Sequence, residues 1–294
     1  MRRRQFSYIA LGGIVASFFS PTLLAASNSA AEIVPQLRAI EESLGARLGV
    51  VLSDHHSNIL LSYNGEQRFP MCSTFKLIAV SAVLARVDAG DYSLADRVSI
   101  AASELVSYSP ITENRLGDNT MSLAEVCSAA LMYSDNTAGN KLLERLGGPG
   151  SVTRFARSLG DPVTRLDRWE TELNEAAIDD PRDTTSPRAM VGLLNKLVLG
   201  DTLSSSSRDQ LLEWMRSNTT GDEKLRAGFP AHWLVAEKTA GGGNGSMADV
   251  GVAWPQTNRP VCIAVYMTET TASFPARNAA IALIARTITP LFRV

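Results

Sequence analysis

The spacing of apolar residues changes several times along the chain, and each change marks a different kind of secondary structure. Between residues 31 and 44 the apolar positions recur at helical intervals and stop before Gly45, which predicts a helix. Residues 47–53 and 58–63 are short runs of strand-forming residues on either side of the polar segment 54–57. This arrangement is typical of a β-hairpin.

A long helical stretch follows, and strand character returns only near the C-terminus. Helical spacing covers most of residues 73–216 and includes one continuous apolar helix over 73–87. Ser122 and Glu125 form a capping-box pattern ahead of a further apolar helix. The remaining predicted elements are strands over 233–238, 248–254 and 261–268 and a last helix over 277–289.

This order predicts an α+β (or α/β) fold with two lobes. The two strands near the N-terminus and the three near the C-terminus are expected to form one antiparallel five-stranded sheet, which the N- and C-terminal helices cover. We assign residues 27–68 and 217–294 to this sheet-containing lobe and residues 69–216 to an inserted all-helical lobe. A substrate is expected to bind in the cleft between the two lobes.

The first 26 residues have the layout of an export signal. Three arginines at positions 2–4 precede an apolar run that is too short to cross a bilayer, and small residues follow it. A buried N-terminal helix is the alternative interpretation. The pattern does not choose between the Sec and the twin-arginine route. We expect the mature protein to be periplasmic or secreted, without a stable membrane anchor.

Composition and charge exclude several classes of protein. The 294 residues are 45% hydrophobic and 20% charged, as in an ordinary globular protein, and the net charge is −2. Without the three N-terminal arginines the charge is −5, so no basic excess points to nucleic acid. Cys72, Cys127 and Cys262 lie in apolar surroundings, and the three histidines lack metal-ligand spacing. We expect no disulfide, no metal and, by default, a monomer.

Ser73 and Lys76 carry the first candidate chemistry, since they stand three residues apart at the start of a predicted helix. On one helical face the amine reaches the hydroxyl, and a lysine kept neutral by desolvation accepts the serine's proton. The helix N-terminus favours the negative charge that develops there. Taken alone, the pair is also compatible with a capped helix that bears a surface lysine.

Two further polar motifs stand at the ends of predicted elements, on the side where the cleft is expected. Ser134-Asp135-Asn136 follows the capped helix, and Lys238-Thr239 closes a strand before a run of glycines. Together with the Ser-x-x-Lys pair, these motifs resemble those of class A serine β-lactamases, which share them with penicillin-binding proteins. The resemblance covers essentially the whole chain after the export signal, and it implies the two-lobed fold of β-lactamases and D,D-peptidases.

One more motif separates these two groups of relatives. Glu170 and Asn174 have the spacing with which class A enzymes hold a hydrolytic water, whereas penicillin-binding proteins lack this arrangement. Arg168 and Asp183 match the ion pair that joins the two ends of this Ω-type loop, residues 168–183, in the family. The resemblance is therefore to the β-lactamases.

The resemblance implies acyl transfer through a serine ester. Ser73 would attack the lactam carbonyl, and the backbone N–H groups of Ser73 and Gly241 would bind the oxyanion. Whether Lys76 or Glu170 accepts the proton from Ser73 is left open. The family reaction uses neither a metal nor an organic cofactor.

The resemblance also assigns the later steps and the substrate contacts. Ser134 passes a proton to the departing lactam nitrogen, and water that Glu170 activates and Asn174 orients releases the product acid. The remaining candidates are those expected to bind the substrate's amide or carboxylate or to line the cleft mouth, namely Asn136, Lys238, Thr239, Lys224 and Tyr108.

Three departures from the family pattern affect these assignments. Ala240 stands where the third motif has glycine. Many members carry an arginine on the neighbouring strand, where Val261 falls here; Lys224 matches an alternative position for that charge, although a surface lysine is an equally open interpretation. Cys72 has no disulfide partner, because Gly242 occupies the partner position.

The sequence thus predicts a class A serine β-lactamase that hydrolyses β-lactam antibiotics and confers resistance to them. A penicillin-binding D,D-peptidase and a non-catalytic β-lactam sensor are the alternatives. Both would deacylate slowly, so turnover distinguishes them from the β-lactamase. The motifs do not indicate a preference among penicillins, cephalosporins and carbapenems.

Overall fold

The computed structural model describes residues 21–56, 58–256 and 259–292. The first 20 residues of the predicted export signal therefore lie outside the described residues, and the rest of it belongs to the first helix. The strands, in chain order, are β1 (Arg47–Asp54), β2 (Ile59–Tyr63), β3 (Phe69–Pro70), β4 (Arg97–Ile100), β5 (Gly117–Ser122), β6 (Thr184–Thr185), β7 (Leu234–Gly241), β8 (Met247–Trp254) and β9 (Val261–Thr268).

Helices account for about half of the remaining described residues. Short 3₁₀ turns precede or follow several of them, and one of these turns, Cys72–Thr74, leads directly into the second helix. The helices are α1 (Pro21–Leu44), α2 (Phe75–Asp88), α3 (Leu123–Met132), α4 (Asn136–Leu146), α5 (Gly150–Ser158), α6 (Pro187–Leu194), α7 (Ser205–Arg216), α8 (Leu225–Gly228) and α9 (Phe274–Ile288).

The central sheet has five antiparallel strands in the order β2-β1-β9-β8-β7. β1 pairs with its hairpin partner β2 and, on its other side, with β9, so strands from distant parts of the chain meet in the middle of the sheet. β8 then joins β9 to β7, which lies at the edge. The predicted hairpin and the predicted five-stranded antiparallel sheet are confirmed.

Side chains alternate between the two faces of the sheet, and each face has its own apolar core. Leu48, Val50 and Leu52 of β1 pack in the cluster that α1, α8 and α9 cover. Val51, between them, faces the other cluster, which contains the buried helices of the inserted segment. The terminal helices therefore cover one face of the sheet, as predicted.

The inserted segment is built around α2, whose residues from Phe75 to Leu84 are all buried. A helix that is apolar on every side must be surrounded by protein, and α3, α4, α5 and α7 all contact it. The capping box that starts α3 forms as predicted: the Ser122 hydroxyl accepts from the Glu125 N–H, and the Glu125 carboxylate accepts from the Ser122 N–H.

The prediction that this segment is entirely helical is wrong. β4 pairs with β5, and β3 pairs with β6, in two separate two-stranded sheets. These strands are two to six residues long, and β5 is largely polar and exposed. Because so short a strand shows no clear alternation of apolar and polar residues, its sequence carries little strand signal.

Several element boundaries also differ from the prediction. β7 continues through residue 241, so the predicted motif at residue 238 lies inside the strand and not at its end. α9 begins at Phe274, because the Ser273 side chain caps it by accepting from the Ala276 N–H. Both differences place additional residues beside the cleft described below.

The three cysteines are buried free thiols, and burial raises the pKa of the Cys72 thiol to about 12. Among the described residues, no group of His, Cys, Asp and Glu side chains has a metal-binding arrangement. None of the helices in this part of the chain has the length and apolar character needed to cross a bilayer.

Candidate active site

Ser73 lies in the turn that leads into α2, and Lys76 follows in the first turn of that helix. The Lys76 Nζ donates a hydrogen bond to the Ser73 Oγ over 3.0 Å. Both side chains are buried, and the lysine is completely so. The predicted Ser–Lys contact is therefore formed, and the alternative of a surface lysine is wrong.

Lys76 is the centre of a buried polar network. Its Nζ also donates to the backbone oxygen of Ser134 at 2.8 Å and to the Asn136 Oδ1 at 2.7 Å. The Glu170 Oε1 lies 2.9 Å from the same Nζ, and both charged side chains are fully buried. A buried charge needs a partner, and this ion pair meets the requirement for Lys76 and Glu170 together.

Glu170 is held in position by amides from two directions. The Asn174 Nδ2 donates to the Glu170 Oε2, as the four-residue spacing between them predicts. Asn140 binds the backbone of Glu170 on both sides: its Nδ2 donates to the Glu170 oxygen, and its Oδ1 accepts from the Glu170 N–H, each over 2.9 Å. The carboxylate is thus fixed relative to α4, which also carries Asn136.

The loop that contains Glu170 is closed by the predicted ion pair. The Arg168 Nε donates to the Asp183 Oδ2 at 2.6 Å, and the Asp183 Oδ1 accepts from the N–H groups of Asp167 and Arg168. Asp183 is almost completely buried. Three charge-assisted hydrogen bonds to one carboxylate join the two ends of the loop firmly.

The turn between α3 and α4 brings Ser134 to the network. Ser134 has φ of +58°, in the left-handed region that non-glycine residues rarely adopt. The next residue, Asp135, stabilises this turn, because its buried carboxylate accepts from Thr112 and from the N–H groups of Ile111 and Ala138. Such strain persists only where the surroundings support it, and it is common at functional sites.

The edge strand β7 forms the opposite side of the site. The Lys238 Nζ donates to the Ser134 Oγ at 3.0 Å and to the Thr239 backbone oxygen at 2.8 Å. Burial, followed by the nearby charge of Lys76, lowers the pKa of the Lys238 ammonium well below its ordinary value. By the alternation of a strand, the Thr239 side chain lies on the opposite side of β7 from Lys238, and its hydroxyl is hydrogen-bonded to the hydroxyl of Thr220.

A cleft of about 330 Å³ separates the two sides. Lys224, whose assignment the sequence left open, lies on its wall with only 5% of its surface exposed, so it is not a surface lysine. Its Nζ donates to the Thr220 backbone oxygen at 2.9 Å, and burial lowers its pKa. The residues that line the cleft are Ser73, Tyr108, Ser134, Asn136, Asn174, Thr220, Lys224, Thr239, Ala240, Gly241 and Phe274.

The departures from the family pattern have definite positions. Val261 lies on β9, which does not pair with β7, and its partner on β8 is Ala253. On β8, the strand next to β7, the residue opposite Gly241 is Met247. Our placement at residue 261 is therefore wrong, although the position opposite Gly241 still lacks an arginine. Ala240 lines the cleft, on the same side of β7 as Lys238 by the two-residue alternation of a strand.

A pair of buried carboxyl groups lies behind the cleft wall. Glu237 on β7 and Asp249 on β8 are both completely buried, and their side chains face each other. The Arg226 Nη2 lies 3.1 Å from the Glu237 Oε1, and the Asp249 Oδ2 accepts from the Leu225 N–H at 3.1 Å. Burial raises the pKa of both groups, that of Asp249 to about 7, while the Lys224 and Arg226 charges act against this rise.

We expect this pair to make the stability of the protein depend on pH. An acid whose pKa is raised on folding stabilises the folded state below its ordinary pKa, and this stabilisation is lost as the pH rises through the folded pKa, here about 7. Because of Asp249 alone, the free energy of unfolding should fall by roughly 3 kcal/mol between pH 5 and pH 8, and Asp249→Asn should make the fall shallower.

Urea unfolding at both pH values measures this difference. Asp222→Asn is the matched control, because Asp222 is an exposed acid that pairs with the same Arg226. Its pH dependence should equal that of the unsubstituted protein. Parallel curves for all three proteins would contradict the assignment of the pH dependence to Asp249.

Three side chains at the site were not predicted from the sequence. Asn140 lies four residues after Asn136 on α4, and this spacing was the available signal, since it places both amides on one helical face. Thr220 and Phe274 reach the cleft from segments that are distant in sequence. Nothing in their local sequence indicates this, because only the tertiary fold brings them there.

Comparison with known proteins identifies the relatives of this chain. The sequence profile of the family described as "Beta-lactamase enzyme family" matches residues 32–292. Beta-lactamase CTX-M-97 of Escherichia coli is 45% identical over 272 residues, which is 92% of each chain. A beta-lactamase of Proteus vulgaris is 47% identical over 266 residues, which is 90% of this chain and 87% of the relative.

Solved structures give the same result. An ancestral class A beta-lactamase is 50% identical and superposes with a TM-score of 0.85, covering 88% of this chain and 99% of its own. The putative class A beta-lactamase PenP of Rhodopseudomonas palustris is 48% identical, with a TM-score of 0.86 and the same coverage.

Proposed function

Because the chain belongs to the β-lactamase enzyme family, we propose that it is a class A serine β-lactamase that hydrolyses β-lactam antibiotics and so confers resistance to them. The observation that carries the proposal is the position of Lys76. Its Nζ lies 3.0 Å from the Ser73 Oγ and 2.9 Å from the Glu170 Oε1, so a nucleophile and a carboxylate share one buried amine.

Acylation begins when the Ser73 Oγ attacks the lactam carbonyl carbon and forms a tetrahedral oxyanion. The N–H groups of Ser73 and Gly241 are proposed to bind this oxyanion, as both residues line the cleft. Glu170 receives the serine's proton through a water, or Lys76 receives it directly after passing its own proton to Glu170; either group serves as the base in this proposal.

Collapse of the oxyanion breaks the lactam C–N bond, and the nitrogen must then gain a proton. Ser134 is proposed to donate it, because its Oγ lies in the cleft and is hydrogen-bonded by the Lys238 Nζ. Lys238 also places its amine, a hydrogen-bond donor, at this end of the cleft. With Thr239 and Lys224, it is proposed to bind the substrate's carboxylate.

Hydrolysis of the ester requires a water molecule activated by a base. Glu170 and Asn174 are proposed to hold and activate this water, since their side chains are hydrogen-bonded to each other beside the cleft. Asn136 and Tyr108 complete the proposed substrate site: Asn136 faces the substrate's side-chain amide, and Tyr108, 58% exposed, lies at the mouth.

Turnover of a chromogenic cephalosporin tests the proposal. We expect the purified protein to hydrolyse many equivalents, because Glu170 supplies a base for the second step. A single stoichiometric burst would instead support a D,D-peptidase or a β-lactam sensor, both of which remain acylated. Ser73→Ala is the control, and it should show neither turnover nor burst.

We also propose that the protein is exported to the periplasm or secreted, with cleavage near residue 26. The three arginines and the apolar run that follows them support this proposal. The mass of the protein recovered from a periplasmic extract would test it. A full-length mass there would contradict cleavage at this site.

A further inference from the structure

Phe274 is a large apolar side chain at the mouth of a polar cleft. It is the first residue of α9, its ring lines the cleft, and 53% of its surface is exposed. The Ser273 cap and Pro275 in the first turn fix the backbone at this point. An exposed apolar side chain on a rigid element within a cleft is typical of a ligand contact.

Two cations hold the ring in place. The Lys224 Nζ lies 5.4 Å from the ring centroid, and the Arg277 Cζ lies 5.5 Å from it. Cation–π contacts at these distances are attractive, and they anchor the ring beside Lys224. Burial lowers the pKa of Arg277, and its Nη1 donates to the Ser246 backbone oxygen, so its guanidinium faces the protein.

The position of Phe274 relative to Lys224 indicates what the ring would touch. Under the proposed function, on which this inference rests, Lys224, Lys238 and Thr239 bind the substrate's carboxylate. In a cephalosporin the carbon that bears the carboxylate is bonded to the ring carbon C3, which carries a variable substituent. That substituent must therefore lie next to the residues that bind the carboxylate.

We propose that Phe274 is a specificity-determining residue that binds the C3 substituent of cephalosporins and favours neutral aromatic groups there. A flat ring packs against the exposed part of the Phe274 ring and buries apolar surface on both partners. The nearby Lys224 and Arg277 make the same place unfavourable for a positively charged substituent. Penicillins, which have no such substituent, gain nothing from this contact.

The test compares two cephalosporins that share one acyl side chain and differ only at C3, where one carries a methyl group and the other a styryl group. The unsubstituted protein should show the higher kcat/KM with the styryl compound. Phe274→Ala should lower the styryl-to-methyl ratio of kcat/KM about fivefold to tenfold, mainly through KM. Phe274→Tyr, which keeps the aromatic ring, should keep the ratio.

Leu283→Ala is the matched control, because Leu283 lies on the same helix, is 44% exposed and lines a different cavity. It should leave the ratio unchanged. An unchanged ratio in Phe274→Ala would overturn the inference, as would an equal loss of kcat/KM for both cephalosporins and a penicillin. If the unsubstituted protein hydrolysed neither compound, the proposed function itself would fail, and the inference with it.

Discussion

Glu170→Ala is expected to trap the protein as a covalent ester on Ser73. The carboxylate at position 170 is the only proposed base for the deacylating water, so its removal should slow deacylation by a factor on the order of 10³. Ser73 and Lys76 remain in contact in this variant, so the ester should still form. Mass spectrometry after mixing with a penicillin should show a persistent mass increase equal to that of the intact antibiotic.

Two further variants make this result specific. Glu170→Gln keeps the shape of the side chain but cannot accept a proton, so it should trap the ester as well. Glu172→Ala removes an exposed acid two residues away and should turn over normally. Normal turnover by Glu170→Ala, or trapping by Glu172→Ala, would show that the hydrolytic base is wrongly assigned.

Lys76→Met is expected to act before the ester forms. The substitution removes the amine that contacts the Ser73 Oγ, and kcat/KM should fall by a factor on the order of 10³ or more. Rapid-quench mass spectrometry should show little ester at times when the unsubstituted protein is acylated. Ester formation at the normal rate would contradict a role for Lys76 in activating Ser73.

The same substitution should also destabilise the fold. Lys76 and Glu170 form a fully buried ion pair, and removal of one partner from such a pair costs about 3–5 kcal/mol. The double variant Lys76→Met/Glu170→Gln removes both charges, so its Tm should recover while acylation stays slow. This separation of stability from acylation would show that the slow acylation is not a consequence of unfolding.

Much of the site was predictable because its residues stand in short, regular spacings. Two pairs of site residues are close in sequence, and a single helical or 3₁₀ turn brings the members of each pair into contact: Ser73 with Lys76, and Glu170 with Asn174. The five-stranded antiparallel sheet was also predictable, since its strands are long enough for their character to show, whereas the order of the strands came from the structure. These features depend on local geometry that differs little from one protein to another.

Other features depend on tertiary structure and could not be predicted. Lys224 looks like a surface residue in sequence, and only the packing of its segment against β7 and α9 buries it. The misplacement at Val261 arose because the length of the turn between β7 and β8 sets which residue faces Gly241. Phe274 became a cleft residue because α9 begins three residues earlier than its apolar spacing indicates.

The pairing of β1 with β9 also limits when the protein can become active. These strands are joined along their full length, and a hydrogen bond from the Arg47 side chain of β1 to Glu269, the residue after β9, spans 222 residues. During synthesis the N-terminal hairpin has no partner on its second edge until β9 has emerged. A chain that stops before Val261 still contains Ser73, Lys76, Ser134 and Lys238, yet it lacks the strand that joins the two halves of the sheet. Truncation at that point should therefore yield an inactive, protease-sensitive product.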